Sequence, residues 1–116
     1  VAWHGHYVKY FEIARCALLR RFDYDYPQML ESGYLWPVVD TRVKYRDVLT
    51  FEQRFRVRAR IEEYENRLRI GYEIFAADSG NRTTTGYTIQ VAVEEKSREM
   101  SFVSPDILFE RMGVKP

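Results

Sequence analysis

Apolar residues recur with two different periods along the chain, and the change of period separates a helical first part from a β-rich second part. Over residues 7–22, large or apolar side chains recur at intervals of three and four, the spacing of one helix face. Most other positions of this segment are apolar as well, so we predict a helix that is largely surrounded by other structure. Residues 27–31 predict a short second helix, ended by Ser32 and Gly33.

After Gly33 the period becomes two, which is the period of a β-strand. Apolar and polar residues alternate over three long segments, and each segment is expected to be a half-buried strand with its larger apolar set facing a core. These segments are residues 55–61, 68–74 and 85–93, and residues 36–46 are predicted to add a fourth strand.

Turn residues lie where these strands must reverse direction. Asp78-Ser79-Gly80-Asn81 is typical of a hairpin turn, and residues 62–66 mark the preceding reversal. Ser104 is predicted to cap a C-terminal helix that has Pro105 at its first position. One wrapped helix followed by short-looped antiparallel strands predicts an α+β domain with a sheet curled around the helix.

Composition limits the classes of protein that this chain can represent. Its 116 residues are 46% hydrophobic, which is enough for one core and one domain. The formal net charge of +1 gives no global attraction to nucleic acid or to an acidic membrane surface. The single cysteine, Cys16, cannot form an internal disulfide, and no apolar run is long enough to span a bilayer. We therefore expect a cytoplasmic protein without a membrane span.

Two stretches carry a family resemblance. WHGHYVKYFEIAR, which begins at Trp3, resembles the segment that opens the central helix of hotdog-fold acyl-CoA thioesterases of the 4-hydroxybenzoyl-CoA thioesterase type. PVVDTRVKY, which begins at Pro37, resembles the first long strand after that helix. The resemblance implies a single hotdog thioesterase domain over residues 1–116. It also implies that this domain is N-terminally incomplete, because the family's first strand and its catalytic Asp precede the residue that matches Val1.

The resemblance implies a catalytic role for His4 and Gly5. In the family, the Asp acts as base or nucleophile while the N-terminus of the central helix polarises the thioester carbonyl. The backbone N–H of His4 would be one donor, and Gly5 would allow close approach. The His4 imidazole could add acid–base help. Packing or capping explains a histidine at a helix start equally well.

Substrate-binding positions are also implied, each beside a structural alternative. Trp3 and Tyr7 would lie near the acyl group, although Tyr7 has core spacing. Glu12 would influence substrate choice if it faced the acyl tunnel, and a surface pair with Arg15 is the preferred interpretation. The nearest candidates for the phosphates of coenzyme A are Arg67 and Arg69.

Two further features favour structural roles. The row Arg54, Arg56, Arg58 and Arg60 has the chemistry to bind phosphate, but an exposed sheet face balanced by Glu62, Glu63, Glu73 and Glu94 is the preferred interpretation. Cys16 lies within an apolar helix and is expected to be a buried structural thiol. No ligand spacing predicts a metal site, and no cofactor is implied.

The leading hypothesis is hydrolysis of an acyl-CoA or acyl carrier protein thioester by a homodimer or homotetramer. A long unpaired sheet edge would support such an assembly. Two alternatives stay open. One is a hotdog hydratase or dehydratase, and the other is a non-catalytic domain that binds acyl-CoA or another protein.

Overall fold

A computed structural model describes residues 4–45, 55–77 and 79–114, with residues 4–8 described by their backbone alone. Helices and strands follow one another in an order close to the predicted one. They are α1 (His4–Arg20), α2 (Tyr26–Glu31), β1 (Tyr34–Leu35), β2 (Val38–Tyr45), β3 (Phe55–Glu63), β4 (Leu68–Ala76), β5 (Arg82–Gln90), β6 (Val93–Glu94) and α3 (Asp106–Met112).

The four long strands form one antiparallel sheet in the order β2-β5-β4-β3, and β1 pairs with β6 in a separate small ribbon. The hairpin between β4 and β5 turns through Gly80 at φ +73°, and its N–H donates to the Ala76 carbonyl over 2.8 Å. Asp78 of the predicted turn lies outside the described residues. Together with α1 on one face, this sheet confirms the predicted α+β architecture.

A stacked pair of aromatic rings holds α1 against the centre of the sheet. The rings of Phe11 and Tyr72 are 4.4 Å apart and nearly parallel, at 8°. Near the start of the helix, Tyr10 contacts Phe55 with ring centroids 4.5 Å apart. These contacts place the N-terminal half of α1 toward the Phe55 end of the sheet.

The core lies between α1 and the helix-facing side of the sheet. On β4 every second residue faces it, and all five of those side chains are at least 97% buried. The buried cluster consists of Phe11, Leu19, Tyr24, Met29, Trp36, Leu68, Ile70, Tyr72, Ile74, Ala92 and Leu108. Burial of this apolar area is the main favourable contribution to folding.

The first helix differs from the predicted residues 7–22 at both ends. It begins at His4 and ends at Arg20. The N–H groups of residues 21–23 each donate to the carbonyl three residues earlier, which tightens the last turn. Asp23 then has φ 54°, a left-handed conformation that stops the helix.

Two strand predictions need correction. The predicted strand over residues 36–46 begins only at Val38, because Trp36 is buried against Tyr24 instead. In β5, Gly86 is opposite Tyr72, so the helix-facing set is Thr84, Gly86, Thr88 and Gln90. The larger set that contains Tyr87 faces away from the helix, because register with β4 decides which side of β5 is inside.

The predicted N-cap of the last helix is also wrong. Pro105, with φ −66° and ψ 153°, occupies the cap, and α3 begins at Asp106. Ser104 is buried, and its N–H donates to the Glu65 carbonyl over 2.8 Å, while its hydroxyl makes no hydrogen bond within the described residues. Ser104 therefore connects this segment to the β3–β4 turn rather than capping a helix.

Gly86 and Gly71 provide a matched test of the contact between α1 and the sheet. A Cβ on Gly86 would lie 2.7 Å from Phe11 Cε2 and would also clash with the Arg42 carbonyl, whereas a Cβ on Gly71 would meet only the exposed Glu62 side chain, at 2.7 Å. Gly86→Ala should lower the free energy of unfolding by about 2 kcal/mol, because packed backbone and ring must move. Gly71→Ala should change it by less than about 0.5 kcal/mol, because Glu62 can rotate away. Urea denaturation measures both, and equal effects would contradict this account.

Candidate functional site

The N-terminus of α1 is where the resemblance places thioester chemistry. The helix runs unbroken for 17 residues from His4, so the backbone of His4 and Gly5 lies in the first described turn of α1. Trp3 lies outside the described residues, and Tyr7 lies within the first two turns of α1. The catalytic and acyl-binding roles of these four residues stay predictions.

A cavity of about 590 Å³ runs beside the second half of α1. This volume is in the range of small-molecule sites. Its wall includes α2, β1, and the ends of β2 and β5, and most of its lining is apolar. The lining residues are Glu12, Arg15, Cys16, Leu19, Asp25, Tyr26, Met29, Leu30, Tyr34, Leu35, Trp36, Pro37, Val38, Gln90, Val93 and Arg98.

A chain of hydrogen bonds fixes one wall of this cavity. Gln90 Nε2 donates to the Trp36 carbonyl over 2.8 Å, and Trp36 Nε1 donates to the Tyr24 hydroxyl over 3.1 Å. The Tyr24 hydroxyl and Ser32 Oγ are 2.9 Å apart, and Ser32 Oγ donates to the Met29 carbonyl over 2.6 Å. Because that serine proton is already used, Tyr24 must donate to Ser32. Burial raises the pKa of Tyr24, which keeps this donor protonated at neutral pH.

Four charged residues line the cavity, and two of them, Glu12 and Arg15, lie on α1. Glu12 is exposed and lies about 12 Å along the helix axis from His4. Glu12 lines the cavity, and it lies on the same side of α1 as Arg15 and Leu19. This placement fits the substrate-contacting alternative, and its effect on substrate choice stays a prediction.

Cys16 differs from the buried structural thiol that was expected. It is only partly buried and lines the cavity. Desolvation raises the pKa of its thiol, and the Asp25 carboxylate raises it further, while Arg15 opposes them. The thiol is therefore protonated and a poor nucleophile at neutral pH.

The sheet face opposite α1 carries arginine and glutamate side chains. Arg56, Arg58 and Arg60 are exposed there, and Arg58 is opposite Glu73 in the register. Glu73 accepts a hydrogen bond from Arg82 over 3.0 Å. The exposed ionic face is thus confirmed for the three described arginines. Arg54 lies outside the described residues. Glu94 is not part of this face, because it lies in β6 opposite Tyr34.

Arg67 and Arg69 both contact carboxylates at the end of the sheet away from the α1 N-terminus. Arg67 Nε is 2.9 Å from Glu63 Oε2, and Arg69 Nε is 3.0 Å from Glu62 Oε1. The Arg69 guanidinium also lies over the Tyr87 ring, 4.1 Å from its centroid. Within one chain, therefore, the structure does not bring these arginines to the helix start. Their binding to coenzyme A phosphates stays a prediction.

Gln90 is one of the polar cavity residues that sequence reasoning missed, together with Asp25 and Arg98. Its place in the alternating pattern put it on the outer face of β5, but the register puts it inside, and it is 95% buried. A single amide in a strand carries no local signal of a ligand site. Only the packing of α2 and Trp36 around it makes it part of a cavity.

The raised thiol pKa of Cys16 predicts its rate of alkylation. We expect slow reaction with iodoacetamide at neutral pH and a rate that rises with pH, because only the thiolate reacts. Asp25→Asn should accelerate the reaction at least about threefold, since loss of the carboxylate lowers the thiol pKa. Asp23→Asn removes a neighbouring charge that pairs with Arg111 and should leave the rate unchanged. Equal rates in all three proteins would refute the assignment.

A family model and two curated relatives all indicate a family of thioesterases. The family model described as "Thioesterase-like superfamily" matches residues 4–109. The Synechocystis protein named "Putative esterase sll0410" is 25% identical over 97% of this chain and 68% of its own length. The Bacillus subtilis "Putative acyl-CoA thioesterase YneP" is 26% identical over 84% of this chain and 70% of its own length.

Solved structures agree with this result. The DHNA-CoA thioesterase from Staphylococcus aureus superposes with a TM-score of 0.77 and 30% identity, covering 86% of this chain and 67% of that one. No helix in the described part of this chain is long and apolar enough to cross a membrane. The match to the family model over nearly the whole chain, together with the shared fold, shows that the chain belongs to the thioesterase-like superfamily and is a hotdog-fold thioester hydrolase.

Proposed function

We propose that the protein hydrolyses the thioester of an acyl-CoA or acyl carrier protein substrate at the N-terminus of α1. The observation that carries the proposal is the start of a 17-residue helix at His4 and Gly5, within the region that matches the thioesterase family. The names of the Bacillus and Staphylococcus relatives, which specify acyl-CoA and DHNA-CoA, support coenzyme A as the carrier.

The chemistry follows from the helix terminus. The first turn of a helix has unpaired N–H groups and about half a positive charge, so it stabilises the oxyanion that forms when a thioester carbonyl is attacked. The His4 N–H donates to that oxygen, and Gly5 leaves room for the substrate. In the family that the chain resembles, the attacking carboxylate is an Asp before the position that matches Val1, and the proposal takes over that role for an upstream acid.

The acyl group extends from the helix start toward the cavity beside α1. The resemblance implies that Trp3 and Tyr7 bind near its thioester end, and Glu12 is one of the residues that line the cavity. Because one chain does not bring Arg67 and Arg69 to its own helix start, in this proposal they bind the coenzyme A phosphates of a substrate held by a second copy of the chain, and exchange their glutamate partners for phosphate oxygens.

The protein acts as a homodimer or homotetramer in this proposal. β2 is an edge strand of the described sheet, with seven of its eight residues exposed. Val39 is 58% exposed and Tyr45 is 46% exposed. An edge strand with exposed apolar side chains favours pairing with a second chain.

Thioester hydrolysis by the full-length protein is the direct test. We expect thiol release from a panel of short, medium, long and aromatic acyl-CoAs, corrected for Cys16, and loss of turnover when the upstream acid is changed to Ala. Hydration of crotonyl-CoA without thioester cleavage would favour a hydratase. Tight acyl-CoA binding without turnover would instead indicate a binding domain.

His4→Ala and His6→Ala form a matched pair in the first turn of α1. His4→Ala should lower kcat at least about tenfold if the imidazole assists proton transfer, while His6→Ala should change it less than about twofold. Equal losses would assign both residues to helix stability rather than to catalysis.

Light scattering during size-exclusion chromatography tests the assembly. We expect the mass of a dimer or tetramer at working concentrations, because the exposed edge of β2 is available for pairing. A stable monomer with full activity would contradict this proposal while leaving the thioesterase proposal intact.

A further inference from the structure

We propose that the cavity beside α1 binds an apolar chain that ends in a carboxylate, and that Arg15 and Arg98 hold the carboxylate. Two kinds of molecule present this chemistry: a free fatty acid, and an acyl thioester whose acyl chain ends in a second carboxylate. Binding of the free acid goes beyond the proposed function, whereas binding of the thioester rests on it. In both cases Arg15 determines ligand specificity.

Arg15 brings a permanent positive charge into a mostly apolar cavity. The residue is partly buried, and its guanidinium stays charged at any physiological pH. It forms no ion pair with a carboxylate of any residue that the structure describes, so the predicted surface pair with Glu12 is not formed. A partly desolvated cation without a counterion is unfavourable, and an anionic ligand removes that cost.

The guanidinium of Arg15 reaches toward the sheet and is accessible there. Burial raises the pKa of Tyr72, while interactions with Thr88 and Arg15 oppose that rise. Because Tyr72 and Thr88 are helix-facing residues of β4 and β5, Arg15 lies at the inner side of the cavity. Among the described residues, only Gln90 Oε1 and Ser104 Oγ are both fully buried and unpaired. The donors of Arg15 that have no partner are therefore open to a ligand.

The other charged residues of the lining leave Arg15 as the inner charge without a counterion. Asp25 Oδ2 already lies 3.7 Å from Arg20 Nη1. Glu12 is exposed, so water solvates its charge. Arg98 is exposed as well, forms no ion pair within the described part of the chain, and offsets Glu12. The charge that a ligand meets inside the cavity is thus positive.

The backbone conformation of Arg98 indicates that its side chain is needed where it lies. Arg98 has φ 63°, in the left-handed region that favours glycine. It lies in the turn that connects Glu94 to Glu99, and its N–H donates to the Glu94 carbonyl over 2.8 Å. Glycine would make this turn without strain, so the turn itself does not explain an arginine. Its side chain, which lines the cavity, does.

The rest of the lining selects an apolar chain with a single negative charge. Leu19, Met29, Trp36 and Val93 are among the lining residues, and the cavity of about 590 Å³ has room for such a chain. Each buried methylene group adds to the binding free energy. One inner guanidinium balances the one charge of a carboxylate. A phosphate monoester brings close to two charges, which the acidic residues of the lining would repel.

Calorimetry at neutral pH tests the two parts of the ligand separately. Decanoate has the charge and the chain, 1-decanol has the chain without the charge, and acetate has the charge without the chain. We expect decanoate to bind at least about tenfold tighter than decanol, the gain typical of a hydrogen bond to a charged group. It should bind at least about a hundredfold tighter than acetate, which buries no chain. Equal affinity for decanoate and either control would overturn the inference.

Arg15→Gln keeps a polar side chain but removes the charge, so it should abolish the preference for decanoate over decanol. Arg21→Gln is the matched control. Arg21 is exposed, follows the last residue of α1 and lies outside the cavity lining, so the same loss of charge should leave the preference intact. A preference that survives in Arg15→Gln, or disappears in Arg21→Gln, would refute the role of Arg15.

Arg98→Gly keeps the test independent of whether Arg15→Gln folds. Glycine adopts the left-handed conformation without strain, so thermal denaturation should give a Tm no lower than that of the protein without the substitution. Decanoate should nevertheless bind at least about threefold weaker, while the affinity for decanol stays the same. Unchanged affinity for decanoate would refute the role of Arg98.

Kinetics with full-length protein identifies the source of the carboxylate. The two substrates are dodecanoyl-CoA and the mono-coenzyme A thioester of dodecanedioic acid. A kcat/KM about tenfold higher for the dicarboxylic thioester, and lost in Arg15→Gln, would assign the site to the acyl substrate. Equal values would assign it to the free fatty acid. Decanoate binding that depends on Arg15, without hydrolysis of any thioester, would refute the thioesterase proposal alone.

Discussion

The close approach of Phe11 to the sheet is the contact on which the rest of the molecule depends. Its ring stacks on Tyr72 and lies where a side chain on Gly86 would be, so the missing side chain at Gly86 lets α1 pack closely on the sheet. Together with the contact between Tyr10 and Phe55, this stacking sets the direction in which the rigid helix crosses the sheet. The N-terminus is held toward the Phe55 end of the sheet, and the second half is held beside the cavity.

The cavity exists because the chain between α1 and β2 does not fill the space next to Leu19 completely. Instead, α2 and Trp36 form a wall that is tied together by hydrogen bonds from Gln90 to Met29. A wall made in this way is stiff and almost entirely apolar toward the cavity. Elsewhere the cavity has charged lining, from Glu12, Arg15, Asp25 and Arg98.

The two faces of the sheet have separate chemistry. Toward α1, β3 and β4 present aliphatic and aromatic side chains and β5 presents Thr84, Gly86, Thr88 and Gln90, whereas the opposite face presents Arg56, Arg58 and Arg60 together with Glu62 and Glu73. Such exposed pairs contribute little to stability individually. They keep one face of the sheet polar, so that the other face packs on the helix.

The sequence alone determined the succession of the main elements, the antiparallel α+β architecture and the presence of a first helix, because these depend on local periodicity and on a contiguous motif. It placed the reversal between β3 and β4 correctly for the same reason. Tertiary structure decided the rest. Register with β4, not the pattern within β5, turned Gln90 inward and Tyr87 outward. The partners of Arg67 and Arg69, the partial exposure of Cys16 and the cavity itself arise from residues distant in sequence. A pattern of hydrophobic and polar positions specifies which residues prefer burial, but only packing specifies what lies next to them.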